Sequence, residues 1–147
     1  MKASICKVCG YVAIDGVVPE VCPVCHAPKT AFVDKTDMKT AQDIAVKGES
    51  EKKHIPFFLV VKECGLIPHA GCTDVHVKIG EITHPMTVEH SIVSIDLYID
   101  KKWVARSSFT PDKINAATVL HIKVPSGTVT AVAHCNLHGW WLNETAF

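Results

Sequence analysis

Apolar and polar residues alternate in short runs through the C-terminal two thirds of the chain. Val93, Ile95, Leu97 and Ile99 fall on one side of an extended segment at 91–99. Leu120, Ile122 and Val124 do the same at 118–124, with His121 and Lys123 opposite, and Val75, Val77 and Ile79 repeat the pattern. A period of two marks strands that bury one face. Turn formers such as Asp100-Lys101-Lys102 and Pro125-Ser126-Gly127 separate the runs, so an antiparallel β-sandwich is expected from His54 onward. The texture before that is different. Residues 35–53 carry nine charges and few large apolar side chains, which predicts a linker with a short helix over 37–46. Residues 1–34 are too few to fold on apolar burial alone. The chain therefore divides into a small domain at 1–34, a linker at 35–50 and a larger domain at 51–147, mainly β throughout.

Composition narrows the function classes. Hydrophobic residues make up 48% of the 147 and charged residues 20%, enough to build a core. Fifteen Lys and Arg balance fifteen Asp and Glu, so the bulk attraction used for nucleic acid or anionic membranes is missing. No apolar run approaches the roughly 20 residues of a bilayer span. The first residues run straight into a cysteine motif without a signal-peptide core, and a cytoplasmic location is expected. What stands out is the inventory of seven cysteines and nine histidines. An odd cysteine count in a reducing compartment argues for metal ligands over a disulfide framework.

Four of the thiols form Cys6-x2-Cys9 and, twelve residues on, Cys22-x2-Cys25. Each turn aims two thiolates at one point, and two such turns make a tetrahedral four-sulfur cage for iron or zinc. Folding of this small domain is expected to draw on the metal. The second domain carries His84-Pro85-Met86-Thr87-Val88-Glu89-His90 and His134-Cys135-Asn136-Leu137-His138-Gly139. Pro85 keeps His84 extended. Cys135 and His138 can grip one ion from a turn, His84 and His90 can join them, and His54 is a plausible fifth ligand. If 128–134 is a strand leading to the site, His134 faces away from Cys135 and misses the ion. His121 and His26 are read as non-ligands. Cys64 and Cys72, with His69 and His76 nearby, are read as partly buried thiols in a loop, with a second structural zinc as the alternative.

Two resemblances give these motifs a context. The run Cys6-Lys7-Val8-Cys9-Gly10-Tyr11 with Cys22-Pro23-Val24-Cys25-His26-Ala27-Pro28-Lys29 resembles the rubredoxin-like domain of rubredoxins and rubrerythrins over residues 4–34. The resemblance implies one iron in four thiolates, passing single electrons, and a structural zinc ribbon is the alternative. His26 stands where that family usually has glycine, so the second knuckle must either accept a positive φ or turn differently. Lys53-His54-Ile55-Pro56, His84-Pro85-Met86 with Glu89-His90, and Cys135-Asn136-Leu137-His138-Gly139 resemble the superoxide reductases, the neelaredoxin and desulfoferrodoxin group, over about 51–147.

This second resemblance implies an immunoglobulin-like sandwich with one non-haem iron. His54, His84, His90 and His138 would be equatorial, Cys135 axial and the sixth position open. It further implies one-electron reduction of superoxide to hydrogen peroxide, with Lys53 near the open position attracting the anion. The family's glutamate position is occupied here by Lys52, and Glu51 reaches the site only if the loop bulges. The N-terminal centre is a plausible electron relay, fed by a rubredoxin or a rubredoxin reductase, and a homo-oligomer, dimer or tetramer, is expected. The alternatives are a non-catalytic electron-transfer or redox-sensing iron protein, and a zinc-bound interaction module.

Overall fold

A computed structural model describes residues 3–35, 38–44, 47–67 and 71–147. The N-terminal part is a three-stranded antiparallel sheet of β1 (Ala3–Cys6), β2 (Val12–Ala13) and β3 (Phe32–Lys35), ordered β2-β1-β3. The two cysteine turns interrupt it. Gly10 N donates to Cys6 O at 2.8 Å and His26 N donates to Cys22 O at 3.0 Å, the same closure at each knuckle. Gly10 has φ +74° and His26 φ +61°, so the histidine does take the left-handed conformation.

The rest is a sandwich of two sheets. One contains β4 (Lys39–Thr40), β7 (Ile92–Ile99), β8 (Lys102–Ser108), β10 (Thr128–Cys135) and β11 (Gly139–Ala146), ordered β4-β11-β10-β7-β8. The other contains β5 (Pro56–Val61), β6 (Thr73–Ile79) and β9 (Ala117–Ile122), ordered β5-β6-β9. Between them Val75, Val77, Ile79, Ile95, Leu97 and Ile122 form a core that extends to Cys135. Among the described residues no helix is long and apolar enough to cross a membrane.

Three details depart from the pattern in the sequence. The segment at 38–44 is not helical: β4 pairs in parallel with β11, and Met38 and Thr40 are buried. The remaining residues of the expected helix, 37, 45 and 46, lie outside the described residues. A helix does form just beyond, α1 (Glu49–His54), with Gly48 as its N-cap. In β7, Val93 is 42% exposed and Ile92 takes the core position. The pairing with β10 skips Val93, since His134 lies opposite Ser94 and Cys135 opposite Ile92. That β-bulge re-aims the end of the strand, as bulges near functional sites do. Val124 falls beyond the end of β9 and is exposed.

The large sheet is buried on both faces. Its outer face gives Tyr98, Val132 and Leu142 to a second core with Ile5, Tyr11 and Val12 of the N-terminal sheet. Tyr98 donates to Val12 O at 2.6 Å, Arg106 Nη1 to Cys9 O at 2.7 Å and Trp140 Nε1 to Gly10 O at 3.2 Å. Beneath this contact Arg106 grips Asp96 through both carboxylate oxygens, at 2.7 and 2.6 Å.

Candidate metal centres

The four thiols of the N-terminal part converge. Cys6 and Cys25 sulfurs are 3.7 Å apart, and those of Cys9 and Cys22 3.6 Å. Sulfurs bound tetrahedrally at about 2.3 Å lie about 3.8 Å from one another. The spacing suits one ion. Burial pushes the Cys9 and Cys22 thiols up, while the Ala27 amide brings Cys25 down to about 7. Buried thiols that resist ionisation alone lose their protons readily to a bound cation.

At one end of the sandwich four imidazoles form a ring. His54 comes from the last residue of α1, His84 and His90 from the loop between β6 and β7, and His138 from the turn between β10 and β11. Neighbouring rings have centroids 4.7 Å apart for His54–His84, 4.5 Å for His84–His90, 4.8 Å for His90–His138 and 4.8 Å for His54–His138. Each pair is edge-to-face. The diagonal pair His54–His90 is 5.8 Å apart. These are four corners of a puckered square. His138 Nδ1 lies 3.1 Å from His54 Nε2, 3.2 Å from His90 Nε2 and 3.5 Å from Cys135 Sγ.

The protons explain what the ring wants. His54 Nδ1 donates to Ser50 O at 2.6 Å and His84 Nδ1 to Pro85 O at 2.6 Å, which leaves a lone pair on each Nε2. His84 Nε2 is buried without a hydrogen-bond partner, the kind of orphan that native interiors avoid. One proton on His138 Nδ1 cannot serve three acceptors at once. A cation can. Nitrogens held at right angles about 2.1 Å from a common ion are about 3.0 Å apart, close to the two N···N distances seen. Burial is the largest influence lowering the pKa of His54, His84 and His90, with His84 brought to about 4, so the imidazoles stay neutral and able to ligate.

Hydrogen bonds from neighbouring loops hold the ring. Gly80, at φ +85°, donates to Ile55 O at 3.1 Å, and Ile82 N donates to Lys52 O at 3.0 Å, tying the His84 loop to α1. Asn136 binds the far end of the same loop three ways: its backbone N–H donates to Ser91 O, its Oδ1 accepts from Ser91 N and its Nδ2 donates to Glu89 O. Trp141 is fully buried, stacks on His54 at 4.7 Å and donates Nε1 to His138 O. Sequence reasoning gave Trp141 no role. Its alternation in β11 marks it only as apolar.

Charged side chains line the rim. Lys53 pairs with Glu49 at 2.5 Å, and its charge is near enough to disfavour protonated His90. Lys39 lies 4.3 Å from the Trp141 ring centroid and its charge likewise reaches His54. It sits in the segment expected to be a linker, so nothing in the sequence tied it to the site. Glu51 is not in the group of possible ligands formed by His54, His90, Cys135 and His138. Because α1 is regular with no bulge, its Oε2 lies against Gly48, 2.8 Å from where a Cβ there would stand. His134 faces away from Cys135 and stacks on Trp140 at 4.2 Å.

A four-sulfur cage docked on an immunoglobulin-like sandwich that carries a histidine ring over a buried cysteine defines a two-centre metalloprotein. Residues 46–144 match the desulfoferrodoxin family model and residues 5–33 that of the rubrerythrin rubredoxin-like domain. The chain belongs to the desulfoferrodoxin, or superoxide reductase, family and has an N-terminal rubredoxin-like domain. A desulfoferrodoxin homolog of Archaeoglobus fulgidus is 29% identical over 141 residues, covering 96% of this chain and 94% of the relative. The superoxide reductase of Pyrococcus abyssi is 35% identical over 109 residues, covering 67% of this chain and 87% of its own length. Among solved structures, a superoxide reductase (neelaredoxin) variant of Archaeoglobus fulgidus in the reduced form shares 28% identity. Its TM-score is 0.57, with 72% of this chain and 97% of that one covered.

Proposed function

We propose that the chain is a superoxide reductase, taking superoxide, one electron and two protons to hydrogen peroxide on the solvent side of the histidine ring. The observation that supports this most directly is the set of five donors. Three imidazole nitrogens and the Cys135 sulfur lie together, and the orphaned Nε2 of His84 completes the square. We assign His54, His84, His90, His138 and Cys135 as ligands of one non-haem iron, which when bound supplies the electron and a Lewis-acidic position for a small anion. The chain does the rest. Trp141 and the sandwich core keep water from the buried side, while the exposed edges of His90 and His138 leave the other side open. Lys53 and Lys39 give that rim positive charge, which draws in an anion despite a neutral chain. Glu51 takes no part in the arrangement described above.

The four-cysteine set is read as an iron centre that relays electrons from a cytoplasmic rubredoxin or rubredoxin reductase. Its support is the docking: Gly10, beside Cys9, accepts from Trp140, which stacks on His134, the residue preceding Cys135. Residues 1–34 and 51–147 are taken as the two modules, joined by 35–50, and the molecule as a homo-oligomer.

Peroxide yield tests the reading. A reductase makes one peroxide per superoxide consumed, whereas a dismutase makes half of one. Cys135→Ser should abolish turnover while the four-cysteine centre keeps its spectrum. Full activity in that variant would remove the sulfur from the reaction, and no peroxide from the iron-loaded parent would leave an electron-transfer protein instead.

A further inference from the structure

The outer face of the three-stranded sheet carries a third group of metal-binding side chains, apart from both centres described above. Asp74 on β6 and His121 on β9 are directly paired across the strands, and His121 Nδ1 lies 2.8 Å from Asp74 Oδ1. The loop between β5 and β6 adds two buried cysteines. Cys64 Sγ is 3.2 Å from His121 Nδ1, and Cys72 Sγ is 3.7 Å from Asp74 Oδ1. One ligand atom from each of the four falls within 4.8 Å of every other. We propose that Cys64, Cys72, Asp74 and His121 form a structural zinc site that closes the β5–β6 loop onto β9. The proposal is independent of the superoxide reading.

The donor set and its geometry carry the argument. Two thiolates, one imidazole and one carboxylate are a full tetrahedral complement for zinc, and four protein ligands with no open position make a structural site. An ion about 2.0–2.3 Å from each donor would set them about 3.3–3.8 Å apart, within about 0.6 Å of the three distances seen. The backbone turns in on Cys64, since Ile67 N donates to Cys64 Sγ at 3.2 Å. Cys64 N donates to Cys72 O at 3.2 Å, holding the two thiols side by side. Neither is used elsewhere in the molecule. The histidine ligand is His121, not His76, because β6 and β9 pair Asp74 with His121, whereas His76 lies opposite Val119. His69 lies outside the described residues.

Zinc binding to the full chain, purified under reducing conditions with its other two centres loaded with iron, tests the site. Inorganic zinc should bind with one further equivalent per chain in chelator competition. Cys64→Ser/Cys72→Ser should lose that equivalent. His121→Ala, a change at an exposed position that leaves the sheet intact, should weaken it by at least about 100-fold. Cobalt in place of zinc should give thiolate charge-transfer bands that disappear in the double variant. The assignment is overturned if the parent takes up no zinc beyond its iron centres, if the double variant binds as tightly as the parent, or if the reduced parent holds a Cys64–Cys72 disulfide instead.

Discussion

Single positions set the histidine ring, and the least conspicuous is Gly80. A Cβ there would come within 2.1 Å of Ile82 O and 2.6 Å of Lys53 O, and the left-handed backbone adds strain of its own. Both clashes are with main chain and cannot be relieved by a rotamer change. Gly80→Ala should lower stability by about 2 kcal/mol or more in thermal or denaturant unfolding. Because the glycine ties the His84 loop to α1, the variant should also release iron faster to a chelator. Lys53 acts differently. Its side chain is partly exposed and already paired with Glu49, so Lys53→Ala should leave the fold unchanged. It should slow the bimolecular reaction with superoxide and flatten its dependence on ionic strength, which stopped-flow kinetics at low and high salt would measure. The two knuckles share a left-handed residue but differ in surroundings: a Cβ at Gly10 would stand in ordinary contact with His134 and Trp140, 3.6–3.8 Å away, whereas the corresponding His26 is exposed.

Among the elements, the turn between β10 and β11 organises the most. Alternation along β10 sends the Cys135 sulfur inward and His134 outward, and Gly139 at φ +73° lets the chain reverse. Asn136 then fixes this turn to the loop carrying His90. It touches none of the ring nitrogens and acts by position. Asn136→Ala removes the two side-chain hydrogen bonds, each worth about 1 kcal/mol, and leaves the main-chain bond to Ser91 O. The expected result is a 10–100-fold loss in iron affinity by chelator competition, in line with about the same penalty for other outer partners of metal ligands. Asn136→Asp should restore part of it through the Ser91 amide. The short α1 works by a similar logic, since its Ser50 carbonyl accepts from His54 Nδ1 and so points Nε2 at the ring.

The whole molecule depends on the large sheet being covered on both faces. Arg106 is the bolt of that contact: it spans the buried Asp96 carboxylate and the Cys9 carbonyl. Arg106→Ala would strand a buried charge, and a loss of about 3–5 kcal/mol is expected in denaturant unfolding. Protease should then cut the N-terminal module first. The same packing means that stripping metal from the four-cysteine set uncovers Tyr98, Val132 and Leu142 as well as unfolding the small sheet.

The sequence by itself determined the strand pattern of the sandwich, the cysteine knuckles and the residues able to meet in the ring, because period-two burial and ligand spacing within a turn are local properties. His134 facing away from Cys135 was legible for the same reason. Other features needed the tertiary structure. Lys39 and Thr40, in the stretch expected to be a linker, became an edge strand because β11 offered an open partner, and this carried Lys39 to the ring. Val93 left the core because of a bulge that depends on β10. Asp74 met His121 across 47 residues because of strand register, which links residues that local sequence keeps apart. The alternation in β7 predicted one buried face, yet Tyr98 and Asp96 on the other are buried too. Only the docking of the first 34 residues decided that, since burial belongs to a surface and its partner together.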